Sequence, residues 1–297
     1  MTSHAFSQVD VFAHGPLSGN PVAVVHDATG LDDAVLADLA RWTNLSETTF
    51  LLPATDAGRA QGADYRLRIL TPSEELPFAG HPTLGSAHAW LEAGGVPARP
   101  GVVVQECGLG LVEVRVEEPA PAAVPGAGRS LAFRAPDLLR SGPVDDATLA
   151  RAVAALRVGP DQVLRAEWID NGPGWLGLQL VDAATVLALQ PDVVALGDLA
   201  LGVIGEHDPS QAERIGAGWE VRAFCPGLSV TEDPVTGSLN AGFARWLGGE
   251  GVLPAAYVVR QGTTTGHDGR VRVSTDAQGA RWVGGLARTV VAGCVEL

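Results

Sequence analysis

"GADYRLRILTP", residues 62–72, and "GAGWEVRAFCP", residues 216–226, share Gly, Ala, an aromatic residue, an apolar residue, Arg, a large apolar residue and Pro at a single offset of 154 (216 − 62). Downstream, "WLEAGGV" (90–96) matches "WLGGEGV" (246–252), and "VVVQ" (102–105) matches "VVRQ" (258–261), both at an offset of 156 (246 − 90). Upstream, "DDAVLA" (32–37) matches "DDATLA" (145–150). Ordered matches across two half-chains mark a duplicated structural unit.

Each unit reads alike. An extended segment such as "SQVDVFA" (7–13) opens it. A helix follows from an Asp pair, whose negative charge suits the helix N-terminus. Strands come next, "TTFLLP" and "YRLRIL" in the first unit and "WLGLQL" and "WEVRAF" in the second. A Gly/Pro turn then leads into an apolar helix ending in "LEAGG" or "LGGEG", with hairpin material such as "GVVVQECGLGLVEVRVEE" beyond it. The apolar positions Leu84, Ala87, Ala89, Trp90 and Leu91 run around that helix, which suits a helix enclosed by sheet. The expected fold is therefore α+β, two pseudo-symmetric domains, each a mixed sheet or barrel wrapped around a central helix. The expected bounds are 1–118 for the N-terminal half, joined by part of the C-terminal segment, and 130–285 for the C-terminal half. Residues 286–297 read as a terminal strand. "EEPAPAAVPGAGRS" (117–130) is the natural linker.

In this frame "AGHPTLG" (79–85) falls opposite "VTGSLNA" (235–241). Both are strand-to-helix turns before the central helix of their unit, with Pro82 expected at the favoured first helical position. Helix N-termini carry free N–H groups and the positive dipole end. Two of them facing one interdomain cleft would clamp a carboxylate. His81 reads either as a capping or core residue or as a ligand. Asp233 reads as a turn-starting Asp before Pro or as a site residue, and Ser238 as a helix cap or a site residue. Glu47, in "NLSETTF" (44–50), stands where a helix ends and a strand begins. Partial burial there would raise a carboxyl toward the range useful for proton transfer; the bland alternative is a surface turn.

Composition narrows the chemistry. The 297 residues carry a formal net charge of −14 and no basic run, so nucleic acid is a poor partner. All 20 basic residues are Arg. The absence of Lys excludes a pyridoxal phosphate Schiff base, a Walker-type phosphate lysine and a lysine-based aldolase. The N-terminus shows no signal-peptide pattern, and "VVALGDLALGVIG" (193–205) is too short and too polar to span a bilayer. Cys107, Cys225 and Cys294 are widely spaced without a CxxC. The expectation is a soluble cytoplasmic protein without a structural zinc site.

Some patterns mislead. "GPGWLG" (172–177) satisfies G-x-G-x-x-G, but a strand-like "LQLVDA" follows it, whereas a dinucleotide site must open a helix. "ECGLG" (106–110) is similar to the thiol motif of cofactor-independent amino-acid epimerases. It lies between two strand-like runs opposite "GTTTG" (262–266), so a hairpin turn is the better reading. Neither HExxH nor G-x-S-x-G occurs, and no metal site is expected.

With "NLSETTF", "LRILTPSEELPFAGHPTLGSAHA" (67–89) and "EDPVTGS" (232–238) in this order, the chain resembles the PhzF-like family. "DVFAHGPLSGNPVAVV" (10–25), "NGPGWLGL" (171–178) and "VGGLARTVVAGCVEL" (283–297) extend the resemblance nearly end to end. The resemblance implies the diaminopimelate-epimerase-like fold, no cofactor, and a homodimer. It implies a cofactor-independent isomerase of a small cyclic or amino-carboxylate, in which Glu47 moves a proton between carbons, assisted by His81, Asp233 and Ser238. Ser46, Gly80, Gly237 and Asn20 would hold the substrate. The epimerase relatives use two thiols, where the equivalent turns here carry Ala79 and Asp233, so two-thiol racemisation is not expected. One departure stands out: "NGP" is commonly followed by a basic residue in the family, and here by Gly174. Epimerisation or elimination at the same site, and a non-catalytic small-acid binder, are the alternatives.

Overall fold

The computed structural model describes residues 2–117, 128–228 and 230–297. These form two compact units, one of Met1–Arg134 with Gly284–Leu297 and the other of Ala135–Val283. Most of the stretch read as a linker, residues 118–127, lies outside the described residues.

In the first unit the chain runs β1 (Ser3–Val11), β2 (Asn20–Val25), α1 (Asp33–Thr43), β3 (Thr48–Leu52), α2 (Asp56–Ala60), β4 (Tyr65–Leu70), β5 (Glu75–Leu76), α3 (Gly80–Glu92), β6 (Val102–Cys107), β7 (Gly110–Glu117) and β8 (Arg129–Arg134). The pairings return on themselves. β1–β2 is antiparallel, β2–β3 parallel, β3–β4 antiparallel, β4–β6 parallel, and β6–β7 and β7–β8 antiparallel. β8 meets the C-terminal strand, which pairs antiparallel with β1 and closes the ring.

Helix α3 runs through this barrel and packs against β1, β2, β3, β4, β6, β7 and β8. All residues from Gly80 to Ala89 are buried, which is why the sequence shows no polar stripe. Close approach is required at Gly85, where a Cβ would stand 2.3 Å from Val22 Cγ1. Outside the barrel, α1 covers a second layer made of Val25, Leu36, Leu39, Phe50 and Leu70. Each such large apolar side chain contributes about 1.5–3 kcal/mol on burial. Asp32 caps α1 by accepting from Val35 N–H.

The second unit runs β9 (Arg140–Gly142), α4 (Asp146–Leu156), β10 (Val163–Asp170), β11 (Leu176–Leu180), α5 (Ala183–Ala188), α6 (Val193–Leu196), β12 (Leu201–Glu206), α7 (Pro209–Ile215), β13 (Trp219–Cys225), β14 (Val230–Asp233), α8 (Gly237–Trp246), β15 (Ala256–Gln261), β16 (Gly269–Thr275) and the first residues of β17 (Arg281–Glu296). β10–β11 is antiparallel, β11–β12 parallel, β12–β13 and β13–β14 antiparallel, β13–β15 parallel, and β15–β16 antiparallel. This is the pairing order of β1 to β7 again, β14 taking the place of β5, which is antiparallel to β4. Helix α8 is buried against β10, β11 and β16. α4, α5 and α6 cover the other face of the sheet over Leu156, Leu178, Leu180, Val203 and Phe224.

The structure corrects two local expectations. α1 lies between β2 and β3, whereas α4 precedes β10. The pairing order therefore places α4 ahead of the repeated series, and the match of "DDAVLA" to "DDATLA" reflects two Asp-capped helices in different positions. The chain between β11 and β12 instead carries α5 and α6. Second, α3 begins at Gly80 with Ala79 as N-cap, so Pro82 is the third helical residue. Its missing N–H still costs nothing there, because the first turn has no intrahelical acceptors. The stretch 193–205 read as too short for a bilayer is α6 and β12, and no helix among the described residues is long and apolar enough to cross a membrane.

Candidate functional site

Five of the eight predicted site residues gather in the first unit around the N-terminus of α3. The route to them starts at Asp10 on β1, whose carboxylate accepts from Ser18 N–H at 3.1 Å and Gly19 N–H at 2.9 Å. That turn admits only glycine at position 19, since a Cβ would lie 2.1 Å from the Val11 carbonyl oxygen. It delivers Asn20, fully buried, to the start of β2. Asn20 Oδ1 accepts from the Ser46 hydroxyl at 3.4 Å, and Asn20 Nδ2 lies 3.3 Å from His81 Nδ1. One side chain thus joins the loop that carries Glu47 to the first turn of α3.

Glu47 stands between the C-terminus of α1 and the start of β3, as the sequence suggested. Asn44 ends α1 in the left-handed region (φ 53°), returning its N–H to the Ala40 carbonyl. The hydroxyls of Thr43 and Thr48 meet at 2.8 Å across the loop. Glu47 is therefore on a short, doubly anchored segment, its side chain 13% exposed. Its Oε2 faces His81 Nε2 at 3.3 Å, and both atoms are buried. That separation is at the long end for a hydrogen bond. His81 is lowered from its ordinary value to about 3 by burial, opposed only weakly by a hydrogen bond to the Pro21 backbone. The imidazole facing Glu47 is thus neutral at physiological pH. Ala79 provides no side-chain cap, so the N–H groups of Gly80 and His81 at the positive end of α3 have no capping acceptor from it.

The other three residues lie in the second unit, at the start of α8. Asp233 ends β14, paired with Ala223. Its Oδ2 accepts from the Thr236 hydroxyl at 2.5 Å. Thr236 is the N-cap of α8 and makes no side-chain cap bond; its hydroxyl donates to Asp233 and accepts from Gln261 Nε2. Gly237 and Ser238 are the first two helical residues, both buried.

Sequence reasoning missed the groups that hold these three. Gln261, at the end of β15, accepts from Thr236 N–H at 3.0 Å and from Asn240 Nδ2 at 3.1 Å. It donates to the Thr236 hydroxyl at 2.8 Å and to the Asp233 carbonyl at 3.1 Å. In the first unit, Gln105 at the matching place in β6 donates to the Thr83 hydroxyl of α3 at 3.1 Å and accepts from Tyr65. The signal was present in "VVVQ" and "VVRQ", where the one polar letter shared by both is this glutamine.

The "NGPGW" turn, read as a false dinucleotide motif and as part of the family resemblance, grips Ser238. Asn171 Nδ2 donates to the Ser238 carbonyl at 2.8 Å, and Trp175 Nε1 to its hydroxyl at 3.0 Å. The departure at Gly174 has a backbone reason. Its φ is 85°, a region that favours glycine, and its N–H donates to the Asp170 carboxylate at 2.7 Å. Because the indole occupies one lone pair of Ser238, the hydroxyl proton is directed elsewhere. Trp175→Phe removes that N–H and trims the buried bicyclic ring to a single one. The expected result is a loss of about tenfold in kcat/KM, equivalent to one hydrogen bond of about 1.5 kcal/mol, beside a lower melting temperature from the space left in the core; steady-state kinetics and thermal melts check it.

The chain matches the family model described as phenazine biosynthesis-like protein over residues 9–293. It belongs to that family. Among curated relatives, "Antisense-enhancing sequence 1" of Schizosaccharomyces pombe is 34% identical and covers 99% of both chains. The trans-2,3-dihydro-3-hydroxyanthranilate isomerase of Pseudomonas fluorescens is 34% identical, with 84% of this chain and 82% of the relative covered. A crystal structure of a PhzF-family protein from Enterococcus faecalis superposes over 100% of both chains with a TM-score of 0.76 at 26% identity. The α+β fold of mixed sheet closed around a helix is the one that this chain shares with that structure.

Proposed function

We propose that this family isomerase moves a proton between two carbons of a small carboxylate through Glu47. The carrying observation is the buried Glu47–His81 contact of 3.3 Å at the start of α3, where the N-cap Ala79 gives no side-chain cap. As a carboxylate, Glu47 removes a proton from an activated carbon. The electron pair of that C–H bond forms a new double bond, the old double bond shifts its electrons to a second carbon, and Glu47 returns the proton there. No proton, electron or atom is gained overall, so one recycled carboxyl suffices and the reaction needs no cofactor. A neutral His81 beside it polarises substrate without adding a charge that would hold Glu47 ionised. The amide of Gly80, with Ser46 and Asn20, is proposed to hold the substrate's carboxylate and polar groups; Gly237 and Ser238 are proposed as further substrate-holding residues, and Asp233 as an orienting and polarising one.

The repeated pairing order of the two units and the two glutamine braces support reading the chain as a duplicated domain. The named activity of the Pseudomonas fluorescens relative makes a cyclic amino-carboxylate the first substrate class to test. Incubated with trans-2,3-dihydro-3-hydroxyanthranilate in heavy water, the protein is expected to consume the compound and place solvent deuterium on carbon in the product, read by mass spectrometry and NMR. Neither consumption nor exchange, with this compound and with a panel of small cyclic and amino-carboxylates, would refute the isomerase chemistry.

A further inference from the structure

We propose that Arg222 is a positioning residue, holding Asp233 in place through its neighbour Glu232; this rests on the reading of Asp233 as a site residue. Arg222 on β13 forms a two-pronged pair with Glu232 on β14, Nε to Oε1 and Nη2 to Oε2 both at 2.8 Å. The pair is buried, the side chains 5% and 14% exposed. The guanidinium also donates from Nη1 to the carbonyls of Val186 (3.2 Å) and Leu189 (2.8 Å) at the end of α5, and lies 4.9 Å above the Phe224 ring. Glu232 in turn accepts from the Thr264 hydroxyl at 2.8 Å, on the turn between β15 and β16. β13 and the β15–β16 turn are thus fastened to one carboxylate, with α5 fastened to the guanidinium that grips it, and the next residue is Asp233.

β14 has only four residues and its ladder with β13 slips between Phe224 and Cys225, so backbone pairing alone defines its place poorly. A planar fork fixes direction as well as distance, which an ammonium cannot do. A displacement of about 1 Å in a group acting on substrate costs about 10²-fold in rate.

The first unit holds the same device in weaker form. Arg68 pairs with Glu75, Nε to Oε1 at 2.8 Å and Nη2 to Oε2 at 2.6 Å. Glu75 faces Leu70 in the β4–β5 ladder as Glu232 faces Phe224 in β13–β14. There the side chains are 19% and 43% exposed, and a loop separates Glu75 from His81. It supplies a matched control.

Crystal structures and kinetics with trans-2,3-dihydro-3-hydroxyanthranilate would be compared for Arg222→Lys, Glu232→Gln, Arg68→Lys and Asp233→Asn. In Arg222→Lys the Asp233 carboxylate is expected to shift by about 1 Å or more, with kcat down about 10²-fold and KM nearly unchanged. Glu232→Gln should give the same shift in smaller measure and serves if the Arg222 variant does not fold. Arg68→Lys should stay close to wild type. Asp233 unmoved in both second-unit variants, or an equal loss of kcat in Arg68→Lys, would overturn the positioning role. An Asp233→Asn variant with full turnover would instead remove the reading of Asp233 while the observed displacement still decides positioning. Should the wild type not turn over this compound, the displacement alone decides it.

Discussion

Glu47→Gln is expected to lower kcat/KM by about 10²–10⁴-fold, the range that a positioned acid–base group contributes, and to eliminate solvent-deuterium incorporation into substrate. Glutamine preserves the side chain's volume and one oxygen, so the anchored loop between α1 and β3 should keep its form and the melting temperature should hold. What is lost is the capacity to take a proton from carbon. No neighbouring group replaces it readily: His81, the titratable side chain 3.3 Å away, is held neutral and lowered to about 3 by burial, which makes it a feeble base. Mass-spectrometric exchange in heavy water measures the result. Full exchange in the variant would show that some other group moves the proton.

Acid should destabilise this protein through two buried histidines. His81 is lowered by burial to about 3 and His88 to about 4, the latter partly offset by Glu92. Both values lie below the ordinary 6.5, so the unfolded chain binds protons that the folded one refuses. Their contribution to stability is whole above pH 6.5 and is withdrawn as the pH falls from there toward the folded values. For His81 the loss is about 1.4 kcal/mol per pH unit, or about 2 kcal/mol by pH 5. Urea unfolding at pH 7.5, 6, 5 and 4.5 measures this slope. In His81→Gln, which cannot titrate, the slope should fall by about one proton's worth even if the variant is less stable throughout. An unchanged slope would mean that His81 titrates normally in the folded state. His88 gives the same test at the far end of α3, where it lies 3.2 Å from the Thr289 hydroxyl.

Much of the fold was legible because similar stretches recur in order in the two half-chains. The Arg of "YRLRIL" and of "WEVRAF" recurs because each forks onto a Glu of the next strand, and the apolar girdle of 80–92 recurs as a helix enclosed by strands. The "DDAVLA" and "DDATLA" match failed for the converse reason. An Asp cap is a local solution that any helix can use, so likeness there carries no topological information. Pro82 misled similarly, since a proline is accommodated anywhere in a first turn.

By itself the sequence determined the local chemistry of this protein: which segments form strands, which helix is apolar on all sides, and which titratable residues sit at the junctions of strands and helices. Tertiary structure alone decided which of those groups meet. Asn20 bridging Ser46 and His81, Gln261 fastening Thr236 to Asp233, and Trp175 claiming a lone pair of Ser238 join positions from 25 to 63 residues apart. Such contacts depend on strand register and on the depth of a helix within its sheet, and neither is encoded in any short stretch. The neutrality of His81 has the same origin. It arises from removal of water on every side, a property of the packed unit that no motif around residue 81 contains.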